Sequence, residues 1–180
     1  MTVAVALLRA VNVGGRALKM ADLLTLARDL SFAEPRTLLQ SGNLVFVTPN
    51  APDAALEGRL EAKAKARFGF QIDIVVRSAA EWRTLLAKNP FLDAARDDPS
   101  HLLVMPLKTA PPKGALDALR AAIKGREEVA LAARDAYLVY PEGIGRSKLT
   151  IQVIERHLRT HGTARNWNTA LKLAAMCAGG

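Results

Sequence analysis

Cysteine is almost missing from this chain: its 180 residues hold one, Cys177. A single thiol closes no internal disulfide and builds no cysteine metal cluster. That excludes a disulfide-framed secreted domain and fits a reducing cytoplasm. Long apolar runs are missing too, since no window approaches the roughly 18 uncharged apolar residues that a membrane span needs. Met1 to Ala10 is apolar but broken by Arg9, and it lacks the basic lead-in and small-residue cleavage site of a signal peptide. These absences point to a cytoplasmic chain without a membrane partner. Aromatic residues make up only 5%, and the expected strands lack the paired aromatics of an RNA-recognition sheet.

Apolar residues make up 50% of the chain, enough for a sizeable core, and the length suits one domain or two small ones. The formal charge is +8, and it is unevenly placed. Residues 1–20 carry Arg9, Arg16 and Lys19 with no acid. Residues 144–180 carry Arg146, Lys148, Arg156, Arg159, Arg165 and Lys172 against Glu155 alone. The two ends account for the whole excess, so the middle is neutral. A local anionic partner explains that concentration better than a general basic bias; a solvated basic face is the plainer alternative.

Periodicity supplies the architecture. Val3 to Leu8 reads as a buried strand, and Leu23, Leu26, Ala27 and Leu30 follow at helical spacing. Arg36 to Gln40 and Leu44 to Val47 are strand-like runs around a Ser41-Gly42-Asn43 turn. Asp53 to Phe68 is helical and ends at Gly69, and Phe70 to Val76 is a strand. The order is βαββαβ. Ala79 to Lys88 reads as a connecting helix stopped by Asn89-Pro90, and Asp93 to Ser100 as a polar boundary. The pattern then restarts: a strand at His101 to Leu107, a helix at Ala115 to Ile123, strands at Val129 to Ala133 and Tyr137 to Tyr140 around Arg134-Asp135, and a helix at Leu149 to Thr160. No final strand is evident, and a helix at Thr169 to Cys177 closes the chain. The expected fold is α+β: two ferredoxin-like halves of βαββα type with antiparallel sheets and an extra C-terminal helix. The halves span residues 1–78 and 101–180, joined by 79–100.

Several of these segments carry a family resemblance. Leu7 to Arg16 with Lys19 to Leu23, Thr37 to Phe46, Gly143 to Leu149 and Gly162 to Thr169 resemble, in order, the sequence blocks of the bacterial domain-of-unknown-function family 1697. Asn89-Pro90-Phe91 is a weaker fifth match. Ala10 and Ser31 stand where that family usually has glycine. The resemblance implies a ferredoxin-like α+β fold and supplies no established reaction.

The chemistry must therefore be argued from the blocks themselves. Asn12 to Lys19 leaves a strand and enters a helix. Gly14 and Gly15 let backbone N–H groups approach a ligand, and Arg16 and Lys19 supply charge. In a βαββαβ unit the hairpin Gln40, Ser41, Gly42, Asn43 emerges at the same sheet end, which would make a polar rim beside the Asn12 to Lys19 loop; Arg9, at the strand end, is a further candidate whose direction the sequence leaves open. A Gly-rich turn and a hairpin that only reverse the chain would look the same. Gly143 to Thr150 again runs from a strand into a helix, where Ser147 would be the cap and Arg146 and Lys148 would sit at the positive end. Its spacing is neither that of a Walker A loop nor of a dinucleotide fingerprint. In Gly162 to Thr169, Arg165 suits a phosphate or carboxylate and Trp167 a stacked base or sugar, with Asn166 and Asn168 alongside. Trp167 would equally serve as a buried fastener, and Asn168 or Thr169 as a helix cap. His157 and His161 are four apart, but no third ligand is in view, so no metal site is assigned. No motif requires a cofactor. The leading reading is a site for a phosphorylated or carboxylated small molecule, with or without catalysis. Single-stranded nucleic acid and a structural or protein-interaction role are the alternatives. Neither the reaction nor the oligomeric state is legible.

Overall fold

A computed structural model describes residues 1–179 of the chain. The chain divides into two compact units, Met1–Thr84 together with the C-terminal segment from Lys172, and Leu85–Leu171.

The first unit runs β1 (Thr2–Leu8), α1 (Met20–Asp29), β2 (Ala33–Leu38), β3 (Asn43–Thr48), α2 (Ala54–Phe68) and β4 (Ile74–Ser78). Its sheet order is β2-β3-β1-β4, with every neighbouring pair antiparallel. The alternation of strand side chains sends Ala4, Ala6, Leu8, Leu44, Phe46, Ile74 and Val76 to one face. There they meet Leu23, Leu26 and Ala27 of α1 and Leu56, Leu60 and Ala64 of α2. Phe32 stacks on Phe46 with ring centroids 4.3 Å apart. Val5, Leu7, Val45, Val75 and Arg77, on the opposite face, are buried as well.

Helix α2 shows how sequence and topology cooperate. Asp53 caps it by accepting the Leu56 N–H at 2.8 Å, and Gly69 ends it in the left-handed region at φ 80°. Two carboxylates one turn apart then serve the neighbouring strand. Glu57 accepts from the Val76 N–H and Glu61 from the Ile74 N–H, each at 2.8 Å. Glu81 does the same for the Ser78 N–H at 2.8 Å. These are alternate donors of β4, the last strand of the sheet. An open row of edge donors would template pairing with another chain, and acidic side chains occupy it instead.

The second unit repeats the plan: β5 (Leu102–Pro106), α5 (Ala115–Ala122), β6 (Glu128–Ala132), β7 (Asp135–Val139), α6 (Ile151–Leu158) and β8 (Arg165–Asn166), in the order β6-β7-β5-β8. The fold is thus α+β with two four-stranded antiparallel sheets of matching topology. Three expectations need correction. The final strand exists: β8 pairs with β5 through Leu103–Asn166 and Val104–Arg165. At two residues it carries no periodicity to detect. The β6–β7 turn is Ala133-Arg134, not Arg134-Asp135, with Ala133 at φ 53°. The stretch expected as a polar boundary holds a short helix, α4 (Leu92–Asp97), besides the connecting helix α3 (Ala79–Ala87). Arg96 pairs there with Asp93 and Asp97 at 3.0 and 2.7 Å, so the polarity belongs to an ion-paired helix face.

In this unit Met105, Leu107, Ala136, Leu138 and Tyr140 pack with Leu119 of α5 and Ile154 and Leu158 of α6. The closing helix α7 (Trp167–Ala178) starts in the second unit, and its residues from Lys172 group with the first. No helix among the described residues is long and apolar enough to cross a membrane.

Candidate functional site

The segment after β1 is a small closed loop. Val13–Arg16 is a two-residue turn with Gly14 at φ 58° and Gly15 at φ 85°, values of a type I′ turn that glycine alone adopts without strain. The Arg16 N–H returns to the Val13 carbonyl at 3.3 Å, and the Asn12 N–H meets the Arg16 carbonyl at 2.7 Å. A Cβ on either glycine would meet nothing within 4 Å, so backbone conformation rather than crowding demands them. Among the described residues, nothing accepts the N–H groups of Val13, Gly14 and Gly15. The loop is solvent-exposed from Asn12 to Ala17, as is Lys19. The Arg16 guanidinium lies 6.0 Å above the Phe70 ring, within cation–π range.

Asn12 has another role than the one read from sequence. Its amide oxygen accepts the Leu18 N–H at 2.7 Å, and its amide nitrogen donates to the Leu18 carbonyl at 3.0 Å and to the Gln40 carbonyl. Its side chain is spent on holding the loop shut and tying it to the β2–β3 hairpin. The two meet because β1 and β2 are each antiparallel to β3 and so end at the same edge of the sheet. The Leu8 N–H also donates to the Gly42 carbonyl at 2.9 Å.

The hairpin is packed tightly underneath. A Cβ on Gly42, at φ 76°, would lie 2.6 Å from Val11 Cγ2 and 2.8 Å from Leu8 Cβ. Asn43 is fully buried and donates to the Leu38 carbonyl at 2.7 Å and to Ser41 Oγ at 2.9 Å. It is a turn-former out of a ligand's reach, which corrects its assignment to the site. Gln40 and Ser41 remain exposed beside Arg16's loop. Arg9 pairs with Asp73 at 3.7 Å, so a local carboxylate already meets its charge.

In the second unit, Gly143 to Thr150 does not form the expected capped helix start. Residues Ile144–Arg146 make one tight 3-10 turn, and α6 begins only at Ile151 with Thr150 as its cap, accepting the Val153 N–H at 3.3 Å. Ser147 donates to Glu127 and accepts the Leu149 N–H at 2.9 Å. Arg146 and Lys148 are exposed and precede the helix, so the charge–dipole cost that favoured an anion there does not arise. The Ser147 hydroxyl and two backbone N–H groups hold the Glu127 carboxyl below its ordinary pKa. Beside it is a cleft of about 90 Å³ lined by Tyr140, Glu142 and Arg146 among others. Tyr140 donates to the Leu149 carbonyl at 3.0 Å, and burial raises its pKa far above the usual phenol value.

Gly162 to Thr169 is a fastening segment. A Cβ on Gly162 would lie 2.7 Å from the Pro106 carbonyl, and Gly162 bridges to Leu107. Arg165 is 7% exposed and donates to Thr163 Oγ1 at 2.7 Å and to the Ala164 carbonyl at 2.8 Å. Burial lowers its pKa to about 10. Trp167 is also 7% exposed, which leaves no ring face for a base. Asn166, rather than Asn168 or Thr169, caps α7 by accepting the Thr169 N–H at 2.9 Å. Asn168 is exposed. Arg165, Asn166 and Trp167 therefore have structural roles where ligand contacts were expected.

Residues 1–137 match the profile of the protein family of unknown function DUF1697. The chain belongs to the DUF1697 family. That DUF1697 match stops short of the Gly143 and Gly162 blocks, which the sequence resemblance had included. Among solved structures, the chain is similar to the conserved bacterial protein SP0830 from Streptococcus pneumoniae, with a TM-score of 0.76, 20% identity and 99% of each chain covered. At that identity the likeness shows a shared fold. No curated protein matches the chain.

Proposed function

We propose that this DUF1697 protein binds the phosphate or carboxylate group of a small molecule at the Val13–Lys19 turn. The observation that carries this reading is the turn itself: three consecutive backbone N–H groups without an acceptor among the described residues, exposed and followed by the two exposed cations Arg16 and Lys19. Consecutive backbone donors make anion-binding concavities, and neighbouring cations add long-range attraction. Gly14 and Gly15 expose the donors, Arg16 and Lys19 supply charge, and Gln40 and Ser41 give a polar rim. Asn12, Gly42 and Asn43 hold the frame. Arg146 and Lys148 form a second exposed basic segment on the other unit.

Nucleic acid is the weaker reading. Single-strand binding on a ferredoxin-like sheet needs an open face with aromatics. Here residues of both sheet faces in the first unit are buried, as are Leu102, Val104 and Tyr137 in the second.

Calorimetric titration with pyrophosphate and with citrate, at constant ionic strength, tests the proposal. Saturable binding that R16Q/K19Q weakens by about tenfold or more is expected, on the scale of charge-assisted hydrogen bonds. Equal affinity of parent and variant would overturn it.

A further inference from the structure

A second cluster lies at the end of α6, in residues that the turn does not involve. His161 Nδ1 stands 3.3 Å from Glu155 Oε2. Glu155 is 9% exposed, and its other oxygen accepts the Gly162 N–H at 3.2 Å. Gly162 is in turn pinned against the Pro106 carbonyl. The carboxylate is thus fixed by backbone and fixes the imidazole. The ring itself is exposed, and among the described residues Nε2 has no partner. An imidazole held at Nδ1 by a carboxylate presents Nε2 as a defined proton acceptor or donor.

The ring faces a cleft of about 390 Å³ whose other walls include Gln152, Arg156, Arg159 and Thr160. Among the described residues, neither the Arg156 nor the Arg159 side chain has a hydrogen bond or ion pair. Cations near a helix C-terminus complement its dipole, which accounts for a basic last turn. It does not account for Arg159 itself, which occupies the left-handed cap position at φ 54°, where glycine or asparagine is favoured.

We infer that this cleft is a second binding site, for a compact oxyanion of phosphate size. Arg156 and Arg159 would be its charge partners, and His161 Nε2 the group that exchanges the ligand's proton. Glu155 is a positioning residue. This inference is independent of the turn in the first unit.

The test follows the side-chain nitrogens of His161 by NMR while inorganic phosphate is added to the full chain, with sodium chloride at matched ionic strength as control. A saturable shift of Nε2 is expected with phosphate only. R156Q should weaken it about threefold or more, and R156Q/R159Q about tenfold or more, with melting temperature lowered by a few degrees at most, because both side chains are exposed and lose only their favourable interaction with the helix dipole. A His161 signal that phosphate leaves unmoved, or that chloride moves equally, overturns the site. So does an unaltered affinity in the double variant. The amides of Gly14 and Gly15 report the turn in the same spectra, so failure of one site is distinct from failure of the other.

Discussion

Replacing Ser31 with glycine should stabilise this protein. Ser31 follows α1 with φ 59°. Its N–H donates to the Arg28 carbonyl at 2.8 Å, and the next N–H, of Phe32, donates to the Ala27 carbonyl at 3.1 Å. That pair of bonds is a Schellman motif, and Ser31 holds the position that glycine normally takes. A left-handed conformation costs an L-residue roughly 1–2 kcal/mol. Glycine avoids that cost but gives the unfolded chain extra freedom worth about 0.4–1 kcal/mol. The difference leaves a gain of about 0.5–1 kcal/mol. Ser31 is exposed and its hydroxyl makes no hydrogen bond among the described residues, so nothing offsets the gain. Urea denaturation of S31G should give a higher midpoint at unchanged slope, and the melting temperature should rise by about 1–4 °C. A midpoint equal to or below that of the parent would refute the strain argument. The same reasoning applies to Ala10 at φ 54°, the other position where the resemblance led one to expect glycine.

Three further predictions concern the frame. G42A should destabilise the first unit by about 2 kcal/mol or more, because it combines a positive φ with a Cβ 2.6 Å from Val11; urea denaturation measures this. E57A should cost about 1–3 kcal/mol by leaving the Val76 N–H of β4 unbonded in the interior, and should raise the tendency to self-associate, seen in light scattering. S147A should flatten the acid limb of stability. Glu127 titrates below its unfolded value, so its contribution is present above that value and lost as pH falls through the folded one. Without the Ser147 hydrogen bond less is lost, and denaturant midpoints at neutral and acid pH should converge slightly.

The regular elements were legible because their burial is periodic. Leu23, Leu26 and Ala27 announce α1, and Leu56, Leu60 and Ala64 announce α2, each by spacing alone. Strand β8 was not legible, since two residues pinned by Gly162 to the neighbouring strand have no period. The motifs misled where a polar residue faces inward. Asn12, Asn43, Arg165 and Trp167 have the composition of a binding site, and local backbone groups or burial consume them. The Ser147–Glu127 contact joins residues twenty apart, and nothing in either segment signals the other. Conversely, His161 looked like half of a weak metal pair. Its relation to Glu155 needs the turn after α6, which spacing does not encode.

The claim at the centre of this account is that the exposed turn after β1 receives an oxyanion on its backbone donors. The most direct measurement follows the amide signals of Val13, Gly14 and Gly15 in a ¹⁵N-labelled sample as pyrophosphate is added at fixed ionic strength. A saturating downfield shift confined to these amides and those of their hairpin neighbours is the expected result. Amides that stay in place, or drift in step with signals across the whole protein, would contradict it.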